Sequence, residues 1–324
     1  MRYSVGLAVL AFGVAGAAHA ETWDMPMAYP DSNFHSENGK AFAACVGKGT
    51  GGDLEITVHA GGSLYKGDEI KRAIQTGQVP IGERLLSAHQ NENPVFGFDS
   101  VPFLATSYDA SATLYEEAKP TLEKILANQN LVLLYSVPWP PQGLYTKKDV
   151  ESAADMKGVK FRSYNTTTAR LAELMGAVPV QIEAAELSQA LATGVAESFI
   201  SSGSTGYDSK VWEQLDHFYD IQAWLPRNYV MANKGAWEGL DEKTRNAVLA
   251  CADEAAKRGT ARSQELNDYY KEELAKNGMT VAAPSDQLTA DLLKFGQTLT
   301  EEWLRSAGTD GQAIVDAYQA KTGG

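Results

Sequence analysis

Residues 241–277 contain no proline and a single glycine, Gly259, and are dominated by Ala, Glu, Lys and Leu. Val248, Cys251, Ala252, Ala255 and Ala256 recur at helical spacing and form one apolar stripe. Unbroken, the segment is a helix of roughly 37 residues, about 55 Å long at 1.5 Å per residue. One lobe of ordinary size has no need of such a helix, so it is expected to run along two lobes and tie them together. Two helices broken at Gly259 are the alternative. The full length of 324 residues, about twice a typical domain, agrees with two lobes.

Elsewhere short strand patterns alternate with helical ones. Residues 54–58 alternate as a half-buried strand does, and 131–135 form the continuous apolar run of a central strand buried on both faces. A strand at 159–162 precedes a helix over Thr166–Leu174, and 183–193 read as a helix before a strand at 195–200. Residues 67–77 read as a helix with Ile70 and Ile74 on one face. The pattern predicts an α/β architecture with mainly parallel sheets.

The first twenty residues read as an export leader. Arg2 gives a positive start, residues 5–18 carry no charge, and Ala18-His19-Ala20 has the small-x-small form of a cleavage site. Cleavage after Ala20 into the periplasm is expected, and no later run is long and apolar enough to span a bilayer. Cys45 and Cys251 then either pair in one disulfide or remain two buried thiols. A formal net charge of −13 without a basic cluster excludes nucleic acid as a partner. Scattered histidines without CxxC or HExxH spacing predict no metal, and no cofactor is expected.

Two motifs invite a catalytic reading. Gly47-Lys48-Gly49-Thr50-Gly51-Gly52 lacks phosphate-loop spacing and precedes a strand, so it is read as a turn between helix and strand. The hydroxyl-rich stretch from Ser201 to Ser204 lacks the GxSxG elbow, and suits ligand contact or helix capping better than nucleophilic attack. An exported hydrolase using this loop is the alternative of another class.

Ala154-Asp155-Met156-Lys157-Gly158-Val159-Lys160-Phe161-Arg162, Met175-Gly176-Ala177-Val178-Pro179-Val180 and the ELSQALATG helix from Glu186 occur in order. Upstream, Val101-Pro102-Phe103-Leu104 resembles L-P-F-L. The series resembles the DctP-type extracytoplasmic solute-binding proteins of tripartite ATP-independent periplasmic (TRAP) transporters over nearly all of the chain after the leader. The resemblance implies a two-lobe periplasmic-binding-protein fold with a hinge and a long helix along both lobes. Residues 1–20 are then the leader, 21–140 plus 226–268 the first lobe, and 141–225 plus 269–324 the second. It also implies a monomer that captures a carboxylate and delivers it to separate membrane permease subunits.

The family's carboxylate-binding arginine matches Arg162, at the end of a predicted strand. A planar guanidinium gives a carboxylate two parallel hydrogen bonds, which fixes orientation as well as charge. Asn165 matches a frequent secondary contact, and Ser201 stands where the family usually has Asn, with Ser202 beside it. Gly143-Leu144-Tyr145 puts Tyr145 where many members carry a second arginine, which argues against dicarboxylates. Trp139, Tyr145 and Tyr164 suggest an aromatic lining, and Glu83 and Arg84 are expected to face the cleft from the other lobe. The expected ligand is a monocarboxylate, preferably aromatic and benzoate-like, with a small 2-oxo or hydroxy acid or a sugar acid as the alternative.

Overall fold

A computed structural model describes residues 21–323, so the expected leader and its cleavage site lie outside the described residues. The chain opens with β1 (Glu21–Pro26), α1 (Phe34–Thr50), β2 (Leu54–His59), α2 (Gly67–Gln75) and β3 (Ile81–Leu85). Two 3-10 turns lead into α3 (Tyr108–Asn128) and β4 (Leu131–Pro138). Next come β5 (Gln142–Thr146), β6 (Lys160–Ser163), α4 (Thr166–Leu174), β7 (Val178–Gln181), α5 (Leu187–Ala192), β8 (Ser198–Ser202), α6 (Gly203–Asp208) and β9 (His217–Tyr219). The chain then returns through β10 (Arg227–Asn233), α7 (Lys234–Gly239) and α8 (Glu242–Lys276), and ends with β11 (Thr280–Ala282) and α9 (Asp286–Thr322).

These strands form two groups. In the first lobe β1 pairs with β2 in parallel, and β10 lies between β3 and β4, antiparallel to both. The second lobe holds one six-stranded sheet in the order β11-β9-β5-β8-β6-β7. There β6 runs parallel to β7 and β8, whereas β5 runs antiparallel to β8 and β9. The expectation of mainly parallel sheets is therefore corrected. The chain leaves the first lobe along β4 and re-enters it along β10, and those opposed crossings impose antiparallel pairing. The run at 131–135 is also corrected: among the described residues β4 pairs only with β10, and its apolar side chains are accounted for by α3 and α8 packing against it.

Two crossing segments lie side by side between the lobes. Trp139 N–H donates to Pro226 O (2.8 Å), Gln142 N–H to Trp224 O (3.0 Å), and Ala223 N–H to Gln142 O (3.0 Å). The backbone thus continues a short ladder through the hinge, beside Pro138, Pro140 and Pro141, whose fixed φ stiffens it.

Helix α8 is unbroken through Gly259 and spans about 52 Å at 1.5 Å per residue. Gly259 is a point of close approach: a Cβ there would lie 2.6 Å from Val137 Cγ2 and 2.8 Å from Asn38 Nδ2. Asp241 caps the helix by accepting from Thr244 N–H. The assignment of everything after residue 269 to the second lobe needs amending, because α9 packs on α3 and on α4. Trp303 Nε1 donates to Pro94 O and Tyr318 Oη to Leu104 O, so this helix, which turns at Gly308, also straps both lobes. The glycine-rich segment at 47–52 is mostly helix rather than turn: α1 continues to Thr50 and Gly51 ends it in the left-handed conformation.

Cys45 on α1 and Cys251 on α8 form a disulfide across 206 residues of chain. Closing so long a loop removes much denatured-state entropy, and such bonds typically contribute about 2–4 kcal/mol. Urea unfolding of Cys45→Ser/Cys251→Ser, compared with the oxidised protein, is expected to show a loss of that size; an unchanged midpoint would contradict it.

Candidate functional site

A cavity lies between the lobes beside the hinge. Its walls come from both lobes: Arg84 and Leu85 end β3, Trp139 and Gln142 flank the hinge, and Arg162, Tyr164, Ser201 and Thr205 stand at the carboxyl ends of β6 and β8. That is where α/β sheets present ligand sites, because the chain leaves each strand into a loop there. Alternation along β6 turns Phe161 into the core and leaves Arg162 on the cavity side, although only 3% of it is exposed.

Arg162 is held by one end. Its Nε donates to Ile182 O at 2.9 Å, and Nη1 and Nη2 donate to no protein atom among the described residues. The Tyr164 ring lies 5.1 Å from its guanidinium carbon. Burial lowers the Arg162 pKa, while Tyr164 and Glu183 act in the opposite direction. A buried cation with two open donors requires an anionic hydrogen-bond acceptor.

Tyr164 is fixed in turn, its hydroxyl donating to Gln142 Oε1 and accepting from Trp224 Nε1, both at 3.1 Å. Trp139 donates through Nε1 to Asn228 Oδ1 (2.8 Å) and meets Tyr29 edge-on at 4.6 Å. Burial raises the Tyr29 phenol well above its ordinary pKa, so it stays neutral. The cavity therefore combines one open cation, neutral hydroxyl and amide groups, and aromatic walls.

Arg84 enters from the first lobe and meets Glu183 of the second. Nη1 and Nη2 donate to Oε2 and Oε1, each at 3.0 Å, while Nε points at His89 Nε2 (3.3 Å). Burial alone would raise the Glu183 pKa, but the charge and hydrogen bonds of Arg84, with Arg162 behind, hold it below the usual carboxylate value. Burial lowers the His89 pKa, so its Nε2 is free to accept. Asn165 lies nearby but turns away: it caps α4 through Thr168 N–H (2.8 Å) and donates to Ser87 Oγ across the lobes (3.2 Å).

The structure gathers Arg162, Tyr164, Trp139, Ser201 and Arg84 around the cavity. Asn165 and three further candidates lie off its lining. Tyr145 shares the opposite face of β5 with Gly143, stacks on Phe199 at 4.3 Å, and donates to Ser202 O. Glu83 points the other way from Arg84, as strand alternation demands, and accepts from Asn228 Nδ2 behind the wall. Ser202 caps α6 through Thr205 N–H. Ser201 Oγ donates to Thr205 Oγ1 (2.8 Å) and Ser204 Oγ accepts from Asn33 Nδ2, so these hydroxyls bind and cap, and no histidine hydrogen-bonds them among the described residues.

Sequence reasoning missed Tyr29, Gln142, Thr205 and Glu183. Glu183 was read as the first residue of a helix, but it is extended (φ −68°, ψ 156°), caps a 3-10 turn, and sends its carboxylate to Arg84. Gln142 carried one usable signal, a polar residue between a proline pair and an apolar strand.

The pattern of the bacterial extracellular solute-binding proteins, family 7, matches residues 26–306. A TRAP solute-binding protein from a marine metagenome, described as specific for pyroglutamate and crystallised with it, is 57% identical, with a TM-score of 0.92 over 93% of this chain and 99% of that one. DctP6 of Bordetella pertussis, an extracytoplasmic solute receptor binding pyroglutamic acid, is 51% identical, with a TM-score of 0.91 over 92% and 99%. DctP7 of the same organism, also binding pyroglutamic acid, is 42% identical, with a TM-score of 0.91 over 93% and 100%.

The Arg84–Glu183 pair sets a pH signature. Glu183 has a lower pKa folded than its ordinary 4.5, so its stabilisation is complete above that value and is lost as pH falls through the folded pKa. Thermal melts should show wild type above Glu183→Gln at pH 7, with the gap closing as pH drops below 4.5; a constant gap would refute the pairing.

Proposed function

The chain belongs to the DctP family of bacterial extracellular solute-binding proteins that serve TRAP transporters, and we propose that its ligand is a small cyclic monocarboxylate, pyroglutamate (5-oxoproline) by preference. It is a carboxylate-binding protein and not an enzyme, which replaces the hydrolase reading of the 201–204 loop. The observation that carries the ligand reading is the pair of open donors on buried Arg162, in a cavity whose other charged groups, Arg84 and Glu183, pair with each other. The pyroglutamate ligands of relatives 42–57% identical to this chain support the specific choice.

The chemistry fits in three parts. Arg162 takes the carboxylate through Nη1 and Nη2. Trp139, Leu85 and Pro226 offer flat and apolar contact to the saturated ring. Gln142, Ser201 and Thr205 supply the hydrogen bonds that a lactam N–H and C=O need. A benzoate would leave those buried polar groups unpaired at about 1–3 kcal/mol each, so the preference for an aromatic acid is set aside. Among the alternatives, the small oxygen-bearing acids come nearer, because they too pair the cavity's hydroxyls.

We place the protein in the periplasm, handing its ligand to TRAP permease subunits. We also propose the lobe division given above, with α9 shared by both lobes.

Isothermal titration tests the ligand. Pyroglutamate should bind and benzoate bind at least about tenfold more weakly. Arg162→Ala should weaken pyroglutamate by about 100-fold or more, since charged hydrogen bonds contribute about 1.5–3 kcal/mol each. Benzoate outranking pyroglutamate, or an Arg162→Ala protein that binds as wild type does, would overturn the reading.

A further inference from the structure

We propose that Glu183 sets the charge class of the ligand: by engaging Arg84 it leaves the cavity a single unmatched cation, so the site admits a monoanion and rejects a dianion. This rests on the reading of the cavity as a carboxylate site and deepens it. Three charged side chains line the cavity, Arg84, Arg162 and Glu183. Arg84 spends both terminal nitrogens on Glu183 and its Nε on His89, whereas Arg162 spends only Nε, on a backbone carbonyl. The two guanidinium groups therefore have different roles. One is an ion-pair member that crosses the cleft, and the other is the free anchor.

The ion pair is built in. Gly67, at the start of α2, packs against it so closely that a Cβ would lie 2.5 Å from Glu183 Oε2 and 2.7 Å from Arg84 Nη1. A side chain there would require one or both of these groups to shift. Behind Arg84, His89 is oriented by Glu92, whose Oε1 lies 2.8 Å from its Nδ1, and Glu92 also pairs with the buried Lys71. Arg84 is thus held toward Glu183 from both ends. A second carboxylate on the ligand would have to displace Glu183 from Arg84 or lie against its negative charge, and both are unfavourable.

Calorimetric titration of wild type, Glu183→Gln and Arg84→Gln/Glu183→Gln with pyroglutamate and with glutarate, an open-chain dianion of the same carbon count, tests this. Wild type should favour pyroglutamate. Glu183→Gln frees Arg84 and should shift the affinity ratio toward glutarate by at least about tenfold. The double variant has one cation again and should return the ratio to the wild-type value, a restoration that a purely structural role for Glu183 would not produce. Gly67→Ala, which crowds the pair without removing either charge, should move the ratio in the same direction as Glu183→Gln and serves if that variant fails to fold. Wild type binding pyroglutamate with a ratio unchanged in Glu183→Gln and Gly67→Ala would overturn the charge filter alone. Wild type binding neither acid would overturn the carboxylate reading beneath it.

Discussion

A guanidinium taken out of water with its two terminal amino groups uncommitted is the interaction around which this protein is organised. Burial of Arg162 is unfavourable without an acceptor, and its one protein hydrogen bond, to Ile182 O, orients the group without neutralising it. The surrounding features make the position tolerable and directional. Tyr164 lies against the cation, and its hydroxyl is locked between Gln142 and Trp224. Those two residues are themselves fixed by the hinge ladder. The anchor and the hinge are therefore one connected structure, so the backbone that joins the lobes also aligns the walls of the site.

Charge balance inside the cavity differs from charge balance of the chain. The protein is strongly acidic, yet its cleft presents a cation, because the second arginine and the one lining carboxylate neutralise each other. The absence of an arginine at Tyr145 suggested a single cationic contact. The structure reaches a single net cation by another route, with Arg84 present but engaged by Glu183.

The sequence displayed what depends on local pattern. The helix Thr166–Leu174, the strand carrying Arg162 and the long helix through Gly259 all rest on periodicity or capping within a few residues, and each is present. What it hid depends on which side of a strand faces which lobe. Tyr145 and Gln142 are three residues apart on β5 and so face opposite ways, yet only the register of β5 against β8 decides which faces the cavity. Glu83 and Arg84 divide in the same manner. Glu183 was hidden because its partner lies 99 residues away, and the reach of α9 over both lobes because a helix pattern does not identify what the helix packs on.

The bond between Cys45 and Cys251 also has a consequence for how the chain is made. The sequence contains two cysteines, and synthesis from the N-terminus exposes the first long before the second exists. Cys45 therefore has no wrong partner within its own chain, and the growing polypeptide carries a lone thiol until α8 has been made. Closure of the covalent loop then requires that both helices have met.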